Sequence, residues 1–206
     1  MSINNKIVFN SVKKQFGDIK ALDDFNLKVP EGTIFGLIGP NGAGKTTTIK
    51  CMTGLHNIDA GYIKIFGKDI ADAKNNIEIR KRIGVLFENM DDLFVYLKGQ
   101  EHLEFVGQVY GLSKDIIYKR IDDLLEYFEM ESHRNILIDD YSKGMKKKIA
   151  LASVILHNPE IIILDEPFEG LDTITIVKVK KLITDLKEKN RTILITSHIL
   201  SLFRFS

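Results

Sequence analysis

Two stretches near the start of the chain alternate apolar and polar residues. Residues 3–9 and 21–29 show this alternation, and a turn is expected between them at residues 17–18. Because successive side chains of a strand point to opposite faces, alternation is typical of strands that cover a core with one face only. Residues 61–67 form another expected strand of the same layer. The pattern predicts a small antiparallel sheet.

Other segments are apolar almost without interruption. The expected core strands comprise residues 33–38, 83–87, 160–164 and 192–196. A continuous apolar run belongs in the centre of a parallel sheet that is covered on both faces. Residues 160–164 are the most uniform of these runs, so they are predicted to form a central strand.

From residue 89 to about residue 157 the spacing of apolar residues becomes helical. One expected apolar face consists of Leu103, Val106, Val109 and Tyr110; a second consists of Ile117, Ile121, Leu124, Leu125 and Phe128. A short polar helix is expected at 72–82, and a further helix at 173–189. No Gly/Ser-rich or Pro-rich segment isolates the helical region. The chain is therefore expected to be a single α/β domain over residues 1–206, with an inserted helical sub-domain at about 89–157.

The composition of the chain excludes only a few classes of protein. The chain has 206 residues, of which 44% are hydrophobic and 28% are charged, with a formal net charge of +1. This balance offers no general attraction to nucleic acid or to anionic lipid. The single cysteine, Cys51, fits a reducing cytosol. No signal peptide is expected, and no apolar run approaches the roughly 20 residues that span a bilayer.

The strongest chemical signal lies between the expected strand at 33–38 and the helix that follows. Residues 39–46 have the pattern Gly-x-x-x-x-Gly-Lys-Thr. Glycines allow backbone N–H groups to approach phosphate oxygens, and a helix N-terminus adds partial positive charge. Lys45 can reach the β- and γ-phosphates, and the Thr46 hydroxyl can bind Mg²⁺. The alternative, a glycine-rich connection with an incidental lysine, does not account for the flanking strand and helix.

Two acids end the most apolar strand. Asp165 lies where a carboxylate can hold Mg²⁺ opposite Thr46, and Glu166 can polarise the water that attacks a phosphate. The alternative is that both acids only mark the end of a strand and cap the next turn.

A second anion-binding device is predicted at Ser142 and Gly144, where a helix is expected to begin. The alternative is an ordinary helix N-cap. The lysines at 146–148 are interpreted as a solvated face. His56, His102, His133 and His157 lack metal-ligand spacing and are interpreted as surface or capping residues.

Together these motifs resemble the nucleotide-binding subunit of ABC transporters, of the bacterial export and efflux type, over essentially the whole chain. The resemblance implies a P-loop NTPase fold with a RecA-like core. It assigns the catalytic glutamate to Glu166, the D-loop to residues 169–172, the switch histidine to His198 and the adenine-stacking aromatic to Phe16. The Walker A loop that would bind ATP comprises Gly39, Pro40, Asn41, Gly42, Ala43, Gly44, Lys45, Thr46 and Thr47.

The same resemblance implies a mechanism and partners. ATP and Mg²⁺ are the implied ligands, and two subunits pair head to tail so that Ser142 and Gly144 contact the ATP of the other subunit. A separate membrane-spanning permease is the other implied partner, which places the chain at the cytoplasmic face of the cell membrane. No nucleic-acid partner is expected. A soluble ABC-type ATPase acting on ribosomes or DNA, and a nucleotide-binding regulator without turnover, stay open as alternatives.

The chain departs from the family pattern in several places. Glu88 stands where the family usually has glutamine and is expected to take part in binding Mg²⁺. Lys143 and Met145 alter the signature without removing Ser142 or Gly144. The chain is expected to be truncated after His198. For residues 94–97, two interpretations stay open: helical core, or a groove for the membrane partner.

Overall fold

The computed structural model describes residues 4–90 and 93–199. The expected truncation after His198, with its residues 202–205, lies outside the described residues. In chain order the strands and helices are β1 (Asn5–Phe16), β2 (Ile19–Pro30), β3 (Ile34–Ile38), α1 (Lys45–Met52), β4 (Ala60–Ile65), β5 (Lys68–Asp69), α2 (Ala73–Arg80), β6 (Ile83–Leu86), α3 (Gly99–Val109), α4 (Lys114–Phe128), α5 (Lys143–Leu156), β7 (Ile161–Asp165), α6 (Thr173–Glu188) and β8 (Thr192–Ser197).

The predicted antiparallel layer is confirmed as a four-stranded sheet of order β2-β1-β4-β5. Its first two strands are 12 residues each and are longer than the alternation predicts. Ser11 and Asp24 have positive φ, and the β1–β2 and β1–β4 registers shift beside Ser11. Such bulges let a strand continue past a point where the alternation breaks. The expected turn at residues 17–18 joins the two strands.

The second sheet is parallel and has the order β3-β8-β7-β6. All five residues of β7 are buried, as the sequence predicts for a central strand. Asp165 is in register with Thr196 of β8, and Ile38 of β3 is in register with Ser197. Because the strands are parallel, their carboxyl ends meet at one edge of the sheet. That edge is where the polar residues of interest lie.

Strand β7 divides the core into two clusters. Ile162 and Leu164 pack with the helical segment 99–156. Ile161 and Ile163 face the other way, toward the antiparallel sheet and α1. The parallel sheet is thus covered on both faces, which accounts for its uninterrupted apolar sequences. Among the described residues, no helix is both long and apolar enough to cross a membrane.

The helical segment follows most of the predicted periodicity. On α4 the predicted face is buried at four of five positions and partly buried at Leu124. On α3 the prediction is wrong for Val109, which is 63% exposed.

The interpretation of residues 146–148 as a solvated face is wrong for Lys147, which is 1% exposed. Lys147 lies on the same helical face as the buried residues Ala150, Leu151 and Val154, three, four and seven positions further along α5. Burial lowers the pKa of its ammonium group. The helical spacing therefore contained the signal, but the run of three lysines obscured it.

Two histidines of the helical segment are withdrawn from solvent. His102 is 2% exposed, so its interpretation as a surface residue is wrong, and its Nε2 lies 2.9 Å from the Ser153 hydroxyl. His157 follows the last residue of α5, and its Nε2 donates to the Ile83 carbonyl at 3.1 Å. Burial lowers the pKa of both imidazoles to about 4.

We expect the protein to lose stability between pH 7 and pH 5. The unfolded chain binds a proton at each of these histidines near pH 6.5, whereas the folded protein resists protonation until about pH 4. Stability is therefore complete above the unfolded pKa and falls as the pH decreases, by about 2 kcal/mol for each histidine between pH 7 and pH 5.

Urea unfolding at pH 7 and pH 5 measures this loss. His102→Gln removes one contribution, so its loss should be smaller than that of the wild type, while the control His133→Gln should lose as much as the wild type. An identical loss in wild type and His102→Gln would contradict the assignment.

Candidate nucleotide site

The glycine-rich loop joins the end of β3 to the start of α1. Gly42 and Gly44 both have φ of 83°, a conformation that side chains with a Cβ rarely adopt. A Cβ at Gly44 would also lie 2.6 Å from the carbonyl oxygen of Ala21. Glycine at this position therefore lets the loop pass close to β2. The flanking strand and helix that this motif requires are both present.

Lys45 begins α1 and is only 8% exposed. Its ammonium group donates to the Gly39 carbonyl at 2.7 Å and to the Pro40 carbonyl at 3.1 Å. The Glu166 carboxylate is 3.8 Å away. The cation is thus held across the mouth of the loop, where the backbone N–H groups of a P-loop converge.

Asp165 joins the loop to the edge of the parallel sheet. Its Oδ2 accepts a hydrogen bond from the Thr46 hydroxyl at 2.8 Å, and its Oδ1 accepts one from the Thr196 hydroxyl. The carboxylate is fully buried. The predicted pair of Mg²⁺ ligands, Thr46 and Asp165, is therefore in direct contact, and both offer the hard oxygen atoms that Mg²⁺ requires.

Glu166 follows β7 with a φ of 45° and is 6% exposed. Its backbone N–H donates to the Thr196 hydroxyl at 3.2 Å. Its carboxylate lies 3.0 Å from Nδ1 of His198, which follows β8 directly. A non-glycine residue at positive φ is costly and persists only where its neighbours fix it. The left-handed turn lets the chain leave the strand with the carboxylate beside Lys45.

Lys45, Thr46 and Glu166 line one open groove of about 360 Å³. Phe16, Glu88 and Glu166 line it together with the glycine-rich loop. Its full lining comprises Phe16, Ile19, Lys20, Ala21, Asn41, Gly42, Gly44, Lys45, Thr46, Thr47, Glu88 and Glu166. An adjoining groove contains Thr46, Glu88 and Asp165 together. All three predicted metal ligands thus line one groove, which shares Thr46 and Glu88 with the first.

On the β1–β2 hairpin, sequence reasoning named only Phe16 and missed the rest of the groove wall, Ile19, Lys20 and Ala21. Phe16 is 42% exposed, and its register partner Ile19 is 71% exposed. Lys20 and Ala21 continue the same wall. The expected turn at 17–18 contained this information, because a two-residue turn places residue 19 opposite residue 16.

Ser142 and Gly144 do not line this groove. Ser142 is exposed and begins α5, where its hydroxyl accepts the Met145 N–H at 3.2 Å. Lys143 forms an ion pair with Glu169 at 2.8 Å, which lowers the pKa of that carboxyl. A Cβ at Gly144 would meet only ordinary contact, 3.6 Å from the Gly170 carbonyl. This second predicted anion site is therefore accessible from outside the subunit.

The groove fits a nucleotide bound with a divalent cation. A buried ammonium, a helix N-terminus and a loop without obstructing side chains provide a phosphate cradle. Three carboxylates border the two adjoining grooves: Glu88 lines both, Glu166 lines the first and Asp165 lines the second. Without a cation they would repel phosphate oxygens, so the donor set suits a hard metal ion and a polyphosphate together.

The family model described as "ABC transporter" matches residues 22–169. The ABC transporter ATP-binding protein NatA of Bacillus subtilis (strain 168) is 36% identical over 198 residues, 94% of this chain and 80% of that protein. The bacitracin transport ATP-binding protein BcrA of Bacillus licheniformis is 41% identical over 189 residues, 91% of this chain and 60% of its own length. The chain spans 57% of the Nod factor export ATP-binding protein I of Cupriavidus pinatubonensis, which is 35% identical over 92% of this chain.

A solved structure extends the similarity to a nucleotide-bound dimer. It is a dimeric ATP-binding cassette in a post-hydrolysis state, bound to ADP and Pi. The TM-score is 0.88 at 27% identity, and the alignment covers 97% of this chain and 91% of that one. The fold and the order of its elements are thus shared with a cassette in which hydrolysis has taken place.

Proposed function

Because the chain belongs to the ABC transporter family as one of its ATP-binding and ATP-hydrolysing subunits, we propose that it powers export of a substrate through a separate membrane-spanning permease. One observation carries the proposal of turnover at this site. The Thr46 hydroxyl donates a hydrogen bond to Asp165, while the neighbouring residue Glu166 lines the groove beside Lys45. The chain would work at the cytoplasmic face of the cell membrane, attached through its permease.

ATP would lie along the groove from the hairpin to the edge of the parallel sheet. Phe16 offers a half-exposed ring on which adenine can stack, with Ile19 beside it. The loop from Gly39 to Thr47 and the ammonium of Lys45 bind the phosphates. Thr46, Asp165 and Glu88 would hold Mg²⁺, which when bound neutralises charge on the phosphate oxygens.

Hydrolysis needs a water molecule activated beside the terminal phosphate. Glu166 can orient that water and accept its proton, because its carboxylate lines the groove next to Lys45. His198, 3.0 Å from the same carboxylate, holds the side chain and can report on the phosphate by exchanging this contact for one to a phosphate oxygen. The products are ADP and inorganic phosphate.

A second subunit would complete the site. At the start of α5, Ser142 is exposed and Gly144 is partly buried, and neither lines the groove. Head-to-tail pairing would bring this helix start to the phosphates of the other subunit. The γ-phosphate then favours the closed dimer because both subunits contact it, and its loss favours opening. The dimeric, ADP-bound relative supports this arrangement.

The permease would contact an apolar cleft on the helical segment. Phe94 is 50% exposed and Tyr96 is 86% exposed, so the interpretation of both as helical core is wrong. The Phe94 ring packs against Phe105 with centroids 4.9 Å apart. Phe94, Phe105 and Val109 line one cleft of about 370 Å³. A half-exposed aromatic ring beside a cleft is typical of sites that receive a partner's side chains.

We expect Phe94→Glu, in the lining of the cleft, to weaken association with the permease by at least about tenfold, because a charge would be buried at an apolar contact. Tyr96→Glu, two residues further along the same exposed segment, is expected to weaken it as well. Quantitative co-purification from membranes measures the effect. Tyr118→Glu is the matched control, since Tyr118 is an exposed aromatic on α4 outside the cleft. Retention of normal association by Phe94→Glu would contradict this docking surface.

Membrane fractionation and ATP turnover together test the proposed function. The chain should sediment with membranes only when its permease is present, and the purified complex should hydrolyse ATP. Association with ribosomes or DNA instead would favour the soluble ABC-type alternative, against which the net charge of +1 already argues. Tight ATP binding without ATP hydrolysis in the purified complex would favour the other alternative, a nucleotide-binding regulator without turnover.

A further inference from the structure

Lys147 presents a buried cation close to the nucleotide site but outside its lining. It is 1% exposed and lies in the second turn of α5. Within residues 4–90 and 93–199, its ammonium group donates two long hydrogen bonds, both to main-chain carbonyls: Glu166 at 3.4 Å and Glu88 at 3.5 Å. Burying an ammonium group away from water is costly unless the group is paired with an opposite charge or hydrogen-bonded. The two carbonyls belong to two acids of the proposed site.

The contact with Glu166 falls where the backbone needs support. Glu166 has a φ of 45°, a conformation that is costly for a residue with a Cβ and persists only where its surroundings hold it. The Thr196 hydroxyl accepts a hydrogen bond from the Glu166 backbone N–H. The Glu166 carbonyl accepts hydrogen bonds from the Lys147 ammonium group and, at 3.3 Å, from the Glu169 backbone N–H. The direction of the Glu166 carboxylate depends on this peptide geometry.

The contact with Glu88 extends the same support to a second segment. Glu88 lies in the turn after β6, and its side chain lines both grooves. Lys147 itself lines neither groove. One ammonium group therefore joins the turn after β6 to the turn after β7 without reaching the nucleotide.

We propose that Lys147 is a positioning residue that fixes the backbones of Glu166 and Glu88 so that both carboxylates face the nucleotide groove. This inference rests on the proposed ATPase function and deepens it. Lys147 also lies on the helix that begins at Ser142. The helix that would contact ATP in the opposite subunit thus holds the glutamate of its own subunit. A movement of α5 on dimer closure would act directly on Glu166.

The charge of Lys147 can be separated from its packing. Lys147→Met keeps the length and the apolar stem but removes the charge, whereas Lys147→Arg keeps the charge. Lys148→Met is the control, because Lys148 is the next residue on α5 and is only partly buried. Steady-state ATP hydrolysis by the complete transporter gives kcat and KM for each variant, and a melting curve verifies folding.

We expect Lys147→Met to lower kcat about tenfold or more while the KM for ATP changes by less than about threefold, since a misplaced base affects the reaction and not ground-state binding. Lys147→Arg should restore kcat to within about threefold of the wild type. Lys148→Met should match the wild type. If Lys147→Met does not fold, Lys147→Gln replaces it with the same expectations.

The proposal is overturned if the uncharged variant keeps kcat within about twofold of the wild type, or if its KM rises by as much as its kcat falls. It is also overturned if Lys147→Arg is as impaired as Lys147→Met, because shape and not charge would then matter. These results differ from failure of the proposed function itself, in which the wild-type complex would show no turnover that depends on Glu166.

Discussion

Replacement of Glu166 by glutamine is expected to lower ATP turnover by at least about 100-fold while ATP stays bound. The amide has the same shape and can still accept a hydrogen bond from His198, but it cannot take a proton from water. The position of Lys45 in the P-loop does not depend on the Glu166 charge, because the closest partners of Lys45 are the Gly39 and Pro40 carbonyls. Glu166→Gln should therefore lose ATP hydrolysis while it keeps ATP binding.

Phosphate release and equilibrium nucleotide binding, measured on the same preparation, test this separation. Glu88→Gln is the matched control: it makes the same chemical change in the same groove and introduces the residue that the family usually carries. It should keep Mg²⁺-ATP binding and alter turnover by less than Glu166→Gln does. Loss of all activity in Glu88→Gln, or normal turnover in Glu166→Gln, would show that the catalytic role is misassigned.

Replacement of Lys45 by methionine is expected to weaken ATP binding by about 10- to 100-fold, the equivalent of about 1.5–3 kcal/mol for a charge-assisted hydrogen bond. Methionine keeps the apolar stem, which is buried in the loop, and removes only the ammonium group. That group is held at the mouth of the loop by two carbonyls and lies 3.8 Å from Glu166. The substitution thus removes the cation nearest to the proposed γ-phosphate position.

Equilibrium titration with a fluorescent ATP analogue measures this loss. Lys20→Met provides the comparison, because Lys20 lines the same groove but is exposed and pairs with the exposed Asp23. It should change the dissociation constant by less than about threefold, since exposed charges are screened by solvent. Equal weakening by both variants would mean that general attraction, and not a specific contact, binds the phosphates.

The parts of the fold that depend on local pattern follow from the sequence. The uninterrupted apolar run 161–164 identified the central strand, because only a strand buried on both faces tolerates it. The glycine-rich motif located the loop, because few other structures require glycines at that spacing before a lysine and a threonine. On α4 the apolar periodicity agreed with the buried face.

The parts that depend on tertiary context were misjudged. Val109 completes an apolar face on α3 but faces an open cleft, where a partner and not the chain itself would cover it. Lys147 was hidden by the neighbouring lysines, although its helical spacing matched buried residues. His102 is buried because the Ser153 hydroxyl satisfies one nitrogen, a contact across 51 residues that no local pattern records.

The position of β3 has a consequence for synthesis of the protein on the ribosome. The strand that leads into the glycine-rich loop pairs with β8, and the Gly32 N–H donates to the Thr192 hydroxyl across 160 residues. At elongation rates of about 5–20 residues per second, the β3 segment waits roughly 8–32 s for this partner. The β1–β2 hairpin can form early in that interval. During translation, the nascent chain therefore exposes an apolar strand edge long before its phosphate loop can be anchored.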